Sequence, residues 1–180
     1  DARRDRRASR VRSPDGRAAG PASAKRPKAR CFPARYGAGI PFRTVVMPVA
    51  ILHSRALAGV AAPRVTVEVH LAGGLPGIHL VGLPDTEVRE ARDRVRAAMQ
   101  NAQFEFPQRK VTVNLAPADL PKESGRYDLP IALGILAATG QIPAKDLAQY
   151  EFAGELALTG DLRAVRGALA MALSARADGH

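Results

Sequence analysis

VNLAPADLPKESGRYDLPIALGIL, running from Val113 to Leu136, decides how this chain folds. Val111, Val113 and Leu115 alternate with polar residues and predict a half-buried strand ending near Leu115. Two prolines, Asp119 and the Lys122-Glu123-Ser124-Gly125 turn then carry the chain across. An apolar helix follows, expected to be N-capped by Asp128, with Pro130 in its first turn where the missing N–H costs little. Gly140 is of the right type to end it. Strand, polar crossing and capped apolar helix form the kind of junction at which sites are built.

Upstream, Val65, Val67, Val69 and Leu71 alternate with Thr66, Glu68 and His70, an amphipathic strand. Gly73-Gly74-Leu75-Pro76-Gly77 is a turn by composition, and residues 78–83 form a second strand. The short spacing predicts an antiparallel hairpin between the two. A helix starts at Asp85, with Val88, Ala91, Val95, Ala98, Met99 and Ala102 on its apolar stripe. Its other face carries Arg89, Arg92, Arg94 and Arg96 interleaved with Glu87, Glu90 and Asp93, which reads as an exposed, ion-paired surface. Downstream come a strand over 152–158, a tight Thr159-Gly160-Asp161 turn, a hairpin partner over 162–165 and a helix over 167–177. The order β-β-α-β-α-β-β-α predicts an α/β (α+β) two-layer sandwich, a mixed sheet with the first two helices packed on it.

Charge divides the chain. The formal net charge is +10, and residues 1–46 hold thirteen basic and three acidic residues, leaving fourteen of each in the remainder. The basic character therefore belongs to the tail and says nothing about nucleic-acid binding by the patterned part. The tail is rich in Arg, Pro, Ala, Ser and Gly, without apolar periodicity, and reads as disordered. A basic interaction arm and an Arg-rich targeting peptide are alternatives. The preferred reading is a segment foreign to the native protein, since the first Met is Met47 and patterning begins there.

Residues 47–180 suit one domain. No apolar run reaches the roughly 18 residues a membrane span needs. The single cysteine, Cys31, lies in the tail, so neither a disulfide framework nor a cysteine metal site is expected, and a cytoplasmic setting follows. The absence of Trp removes the usual base-stacking platform of single-strand binders. The helical pattern continues to the last residues, ARADGH, so the chain is expected to be truncated before the native protein ends.

GLPGIHLVGLPDTEVREARDRVRAAMQNAQFEFP, VNLAPADLPKESGRYDLPIALGIL and FAGELALTGDLRAVRGAL together resemble the amino-terminal domain of the ComM/YifB family, bacterial magnesium-chelatase-like proteins in which a AAA+ ATPase module follows. The resemblance covers about Val49 to the end. It implies a ribosomal protein S5 domain 2-like fold, shared with the proteolytic domain of Lon. It also implies a hexameric ATPase acting on branched DNA in natural transformation. The partners implied are the chain's own AAA+ module, further copies and DNA. ATP and magnesium would belong to that module, because no G-x-x-x-x-G-K-[ST] occurs here.

Lon-type peptidases carry a nucleophilic serine in Pro-Lys-Asp-Gly-Pro-Ser-Ala-Gly and a general-base lysine on a helix after a Gly-Glu hairpin, the base being needed to take the hydroxyl proton. By this resemblance Arg126 stands at the nucleophile position and Leu169 at the base position, and no lysine follows Lys145. No catalytic residue is therefore assigned. Ser124 and Lys122 are the remote candidates, but Ser124 reads as a turn residue bonding its own backbone and Lys122-Glu123 as a solvated pair. Asn114, Asp119, Lys122, Glu123, Arg126, Asp128 and Glu155 form the candidate functional surface, with no cofactor or metal ligand among them. His70 and His79 could face each other across the expected hairpin, yet two ligands without a third make a poor metal site. The leading expectation is a non-catalytic accessory domain of a AAA+ motor. A cryptic serine hydrolase using Ser124 and a nucleic-acid binder working through the tail are the alternatives.

Overall fold

The structure, a computed structural model, describes residues 49–59 and 61–180. The expectations for residues 1–46 lie outside the described residues. β1 (Val49–Arg55), β2 (Arg64–Ala72), β3 (Gly77–Val81) and β4 (Lys110–Ala116) form one four-stranded sheet in the order β1-β2-β4-β3. β1–β2 and β2–β4 are antiparallel, and β3–β4 is parallel. Helices α1 (Thr86–Asn101) and α2 (Asp128–Ala138) pack together, and their apolar faces share one core with the sheet. β5 (Glu155–Leu156) and β6 (Leu162–Arg163) make a separate small hairpin, shorter than the sequence predicts, and α3 (Ala168–Ala177) follows. The result is the expected mixed two-layer α+β sandwich.

The period-two pattern does what it should. Val65, Val67 and Val69 of β2 and Val111, Val113 and Leu115 of β4 are buried on one face of the sheet. Each such side chain contributes roughly 1.5–3 kcal/mol by leaving water. α2 lies against β1 and β2, and Gly134 permits the close approach: a Cβ there would sit 2.5 Å from Val69 Cγ2 and 3.1 Å from Leu52 Cδ1. Asp85 caps α1, its carboxylate accepting from Val88 N–H at 2.8 Å. Gly140, at φ +73°, closes α2: its N–H donates to Ala137 O and that of Gln141 to Leu136 O.

Two expectations are corrected. The hairpin partner of β2 is β1, not β3, and β1 is absent from the sequence reading. Val49 and Ile51 are apolar on the exposed side of β1, which erases the alternation that would have revealed it. β4 lies between β2 and β3. Residues 73–76 need only bridge two strand spacings, about 10 Å, well within reach of a four-residue link. His70 and His79 consequently do not face each other: each registers with Thr112, on opposite sides of β4.

Candidate functional site

The crossing segment after β4 forms one wall of a cavity of about 710 Å³. Asp85 and Glu87 at the start of α1, Pro121 and residues 123–126, Glu155 on β5 and residues 164–166 ahead of α3 surround it. The wall is held from behind: Gly154 N–H donates to Arg126 O and Leu129 N–H to Gly154 O, both at 3.0 Å. Ser124 adopts φ +68°, and a Cβ on Gly125 would come within 2.7 Å of Glu155 Cγ. Local sequence thus presses the Ser124-Gly125-Arg126 turn against the β5 hairpin.

At the floor lies Arg126, 4% exposed. Its Nε donates to Ser124 Oγ at 3.0 Å and to Glu123 O at 3.4 Å, and its Nη1 lies 3.4 Å from Met171 Sδ on α3. Burial lowers its pKa, with Tyr127 and Glu123 opposing. Ser124 Oγ is therefore tied to a cation rather than to its own backbone as the sequence suggested. An oxygen accepting from a guanidinium has no proton acceptor in that contact. The resemblance placed Leu169 at the base position, but Leu169 is 74% exposed, and Met171 is the α3 side chain that reaches Arg126.

Lys122 is fully buried, which corrects its reading as half of a solvated pair. Its Nζ donates to Pro117 O, its backbone O accepts from Asp85 N–H, and burial lowers its pKa against an opposing pull from Asp119. Glu123 is exposed on the cavity wall. Among the described residues no hydrogen bond joins Lys122 to Ser124.

Asp128 is not a helix cap. Tyr127 precedes it in helical geometry, because a short 3-10 turn over Gly125–Tyr127 runs straight into α2. The buried Asp128 carboxylate instead accepts from Arg94 Nε at 2.7 Å, Arg94 Nη2 at 3.1 Å and Leu156 N–H at 3.1 Å. Burial pushes its pKa up while Arg94 and the Leu156 N–H pull it back, and the bond to Asp128 raises that of Arg94. One carboxylate thereby locks α1, α2 and β5 together. Arg94 was assigned to an exposed ion-paired face. Among the described residues the acids of α1 pair only there, through Glu90 to Arg94 at 3.6 Å. No spacing rule links residues 94 and 128, so sequence could not have found the pair.

Of the remaining surface residues, Glu155 lines the cavity and pairs with Arg163 at 3.1 Å, whereas Asp119 is exposed in the crossing loop. Asn114 points to the helix-free face of the sheet, where its Nδ2 donates to Glu68 Oε2 at 2.8 Å. The structure thus gathers Glu123, Ser124, Arg126 and Glu155 and leaves Asn114 apart. A second cluster escaped the sequence reading. Buried Arg55 donates to Glu151 and Asp178 at 2.5 Å, and His180 meets His53 edge to face at 5.5 Å. These bonds fasten the end of α3 to β1. Residues 73–77 lead into β3 instead of a helix and carry no Lys or Thr.

Residues 67–180 match the family model described as subunit ChlI of Mg-chelatase. The chain belongs to this family. Within it, the chain resembles the proteins named ComM and YifB. It is 61% identical over 130 residues to the competence protein ComM of Haemophilus influenzae, covering 72% of this chain and 26% of that protein. To the uncharacterized protein YifB of Salmonella typhimurium it is 60% identical over 129 residues, with the same coverage. An uncharacterized protein of Mycobacterium tuberculosis is 43% identical over 126 residues, covering 70% of this chain and 25% of its own length. The chain spans about a quarter of the length of these relatives. Among the described residues, no helix is long and apolar enough to cross a membrane.

Proposed function

We propose that residues 47–180 are a non-catalytic accessory domain of a cytoplasmic, ComM-like AAA+ ATPase. The complete protein would assemble as a hexamer, hold ATP and magnesium in a module outside these residues, and drive branched DNA during natural transformation. The ComM name of a 61%-identical relative supports the competence link. The observation that carries the accessory role is the Arg126–Ser124 contact at 3.0 Å. A hydrolase built on this cavity needs a base at the hydroxyl. A guanidinium offers only donors, and on α3 a thioether faces it. A buried arginine braced on a turn suits a rigid coupling element between the sheet and α3, from which a following module would be held.

The test uses the complete protein with its ATPase module. Migration of a synthetic four-way DNA junction should require ATP, and casein should not be cleaved with or without ATP. Casein turnover abolished by Ser124→Ala would overturn the reading in favour of a cryptic hydrolase. Junction migration that persists undiminished after removal of residues 47–180 would overturn the accessory role.

A further inference from the structure

We propose that the outer edge of β3 is a docking strand for an extended, acidic segment of a partner protein. In the parallel ladder, Gly77, His79 and Val81 turn their backbone groups toward β4, as the Gly77 N–H to Arg109 O bond fixes. Ile78 and Leu80 therefore turn their N–H and C=O groups outward. β3 ends the sheet, and neither residue has a backbone partner on that side among the described residues. Such an edge is a template for strand addition unless it is blunted, and Gly77–Val81 contains no proline, lysine or bulge.

Beside the edge lies a groove of about 470 Å³ between β3 and α1, walled by Ile78, His79, Arg92, Asp93, Arg96 and Phe106. The Arg96 guanidinium stacks 5.1 Å from the Phe106 ring centre, and among the described residues neither Arg92 nor Arg96 has a carboxylate partner. An added strand would place every second side chain over this wall, where acidic residues meet the guanidinium groups of Arg92, which also donates to Arg89 O at 3.0 Å, and of Arg96. Charge selects the occupant. The chain's own residues 1–46 carry a net +10, the same sign as the two arginines. A second copy pairing edge to edge would bring both sets of arginines together. Duplex DNA could use the arginines, but it has no use for alternating backbone donors and acceptors.

The test measures binding of a fluorescein-labelled, capped octapeptide alternating glutamate and valine to the 180-residue chain by fluorescence polarisation. Hydrogen exchange reports protection at Ile78 and Leu80. Saturable binding should protect both amides and weaken at least about tenfold in Arg92→Glu/Arg96→Glu, whose side chains lie outside the core. Methylating alternate amide nitrogens of the peptide should abolish it, which separates strand pairing from attraction to the basic tail. Equal binding of the methylated peptide, or of the double variant, would overturn the proposal. So would protection of this edge by duplex DNA or by self-association in the peptide's place.

Discussion

Replacing Asp128 by alanine tests whether the crossing segment is held by buried electrostatics or by apolar packing alone. The carboxylate is fully buried and receives two N–H bonds from Arg94 and one from Leu156. Removing one partner of a buried pair costs about 3–5 kcal/mol, because a charge is left without compensation. The Arg94 side chain keeps 20% exposure, so its guanidinium can recover part of its hydration, and the lower end of that range applies. The stranded Leu156 N–H is already included in such a figure. The expected loss is about 3 kcal/mol, equivalent to roughly 10 °C in melting temperature for a domain of this size. Urea denaturation of the wild type, Asp128→Ala, Arg94→Met and the double variant supplies the full cycle. The double variant should cost about 2 kcal/mol less than the sum of the singles, since each removes what the other needs. A loss below about 1 kcal/mol for Asp128→Ala, or strict additivity, would refute the lock between α1, α2 and β5.

Three further outcomes follow from particular contacts. Gly134→Ala should destabilise by about 1–3 kcal/mol in urea titrations although alanine is the better helix former, because its Cβ has Val69 Cγ2 at 2.5 Å. A neutral or stabilised variant would show that α2 can back away from the sheet. Lys122→Met should be neutral or stabilising by about 1 kcal/mol, since it removes a buried ammonium compensated by one carbonyl. A loss above that figure would show the Pro117 contact to be a net gain. His53 has its pKa lowered from 6.5, first by burial and then by Arg64 and His180, with Glu151 opposing. The neutral ring is thus favoured in the fold, and stability is complete above pH 6.5 and falls as the pH drops through that value toward the lowered one. His53→Asn should flatten this acid limb in urea midpoints between about pH 7.5 and 5.5, and an unchanged limb would assign it to other groups.

The sequence by itself determined the element types over most of residues 64–177. Period two at Val65–Leu71 and Val111–Leu115, period 3.6 at Val88–Ala102 and the glycine stop at Gly140 are local signals, and burial of one face is all they require. The motifs of the three long segments also sufficed to name the family. Tertiary structure alone decided which strands touch within the four-stranded sheet. A linker of residues 73–76 fits a hairpin or a step across one strand equally well, and only β4 entering the gap chooses. It likewise decided the fate of three charged residues in the candidate site. Lys122 reads as half of a solvated pair, Asp128 as a cap and Arg126 only as the residue at the nucleophile position, and each is buried by chain arriving from a distance: Asp85, Met171, Arg94 and Leu156. Such partners lie between 28 and 45 residues away, and no periodicity within one element encodes them.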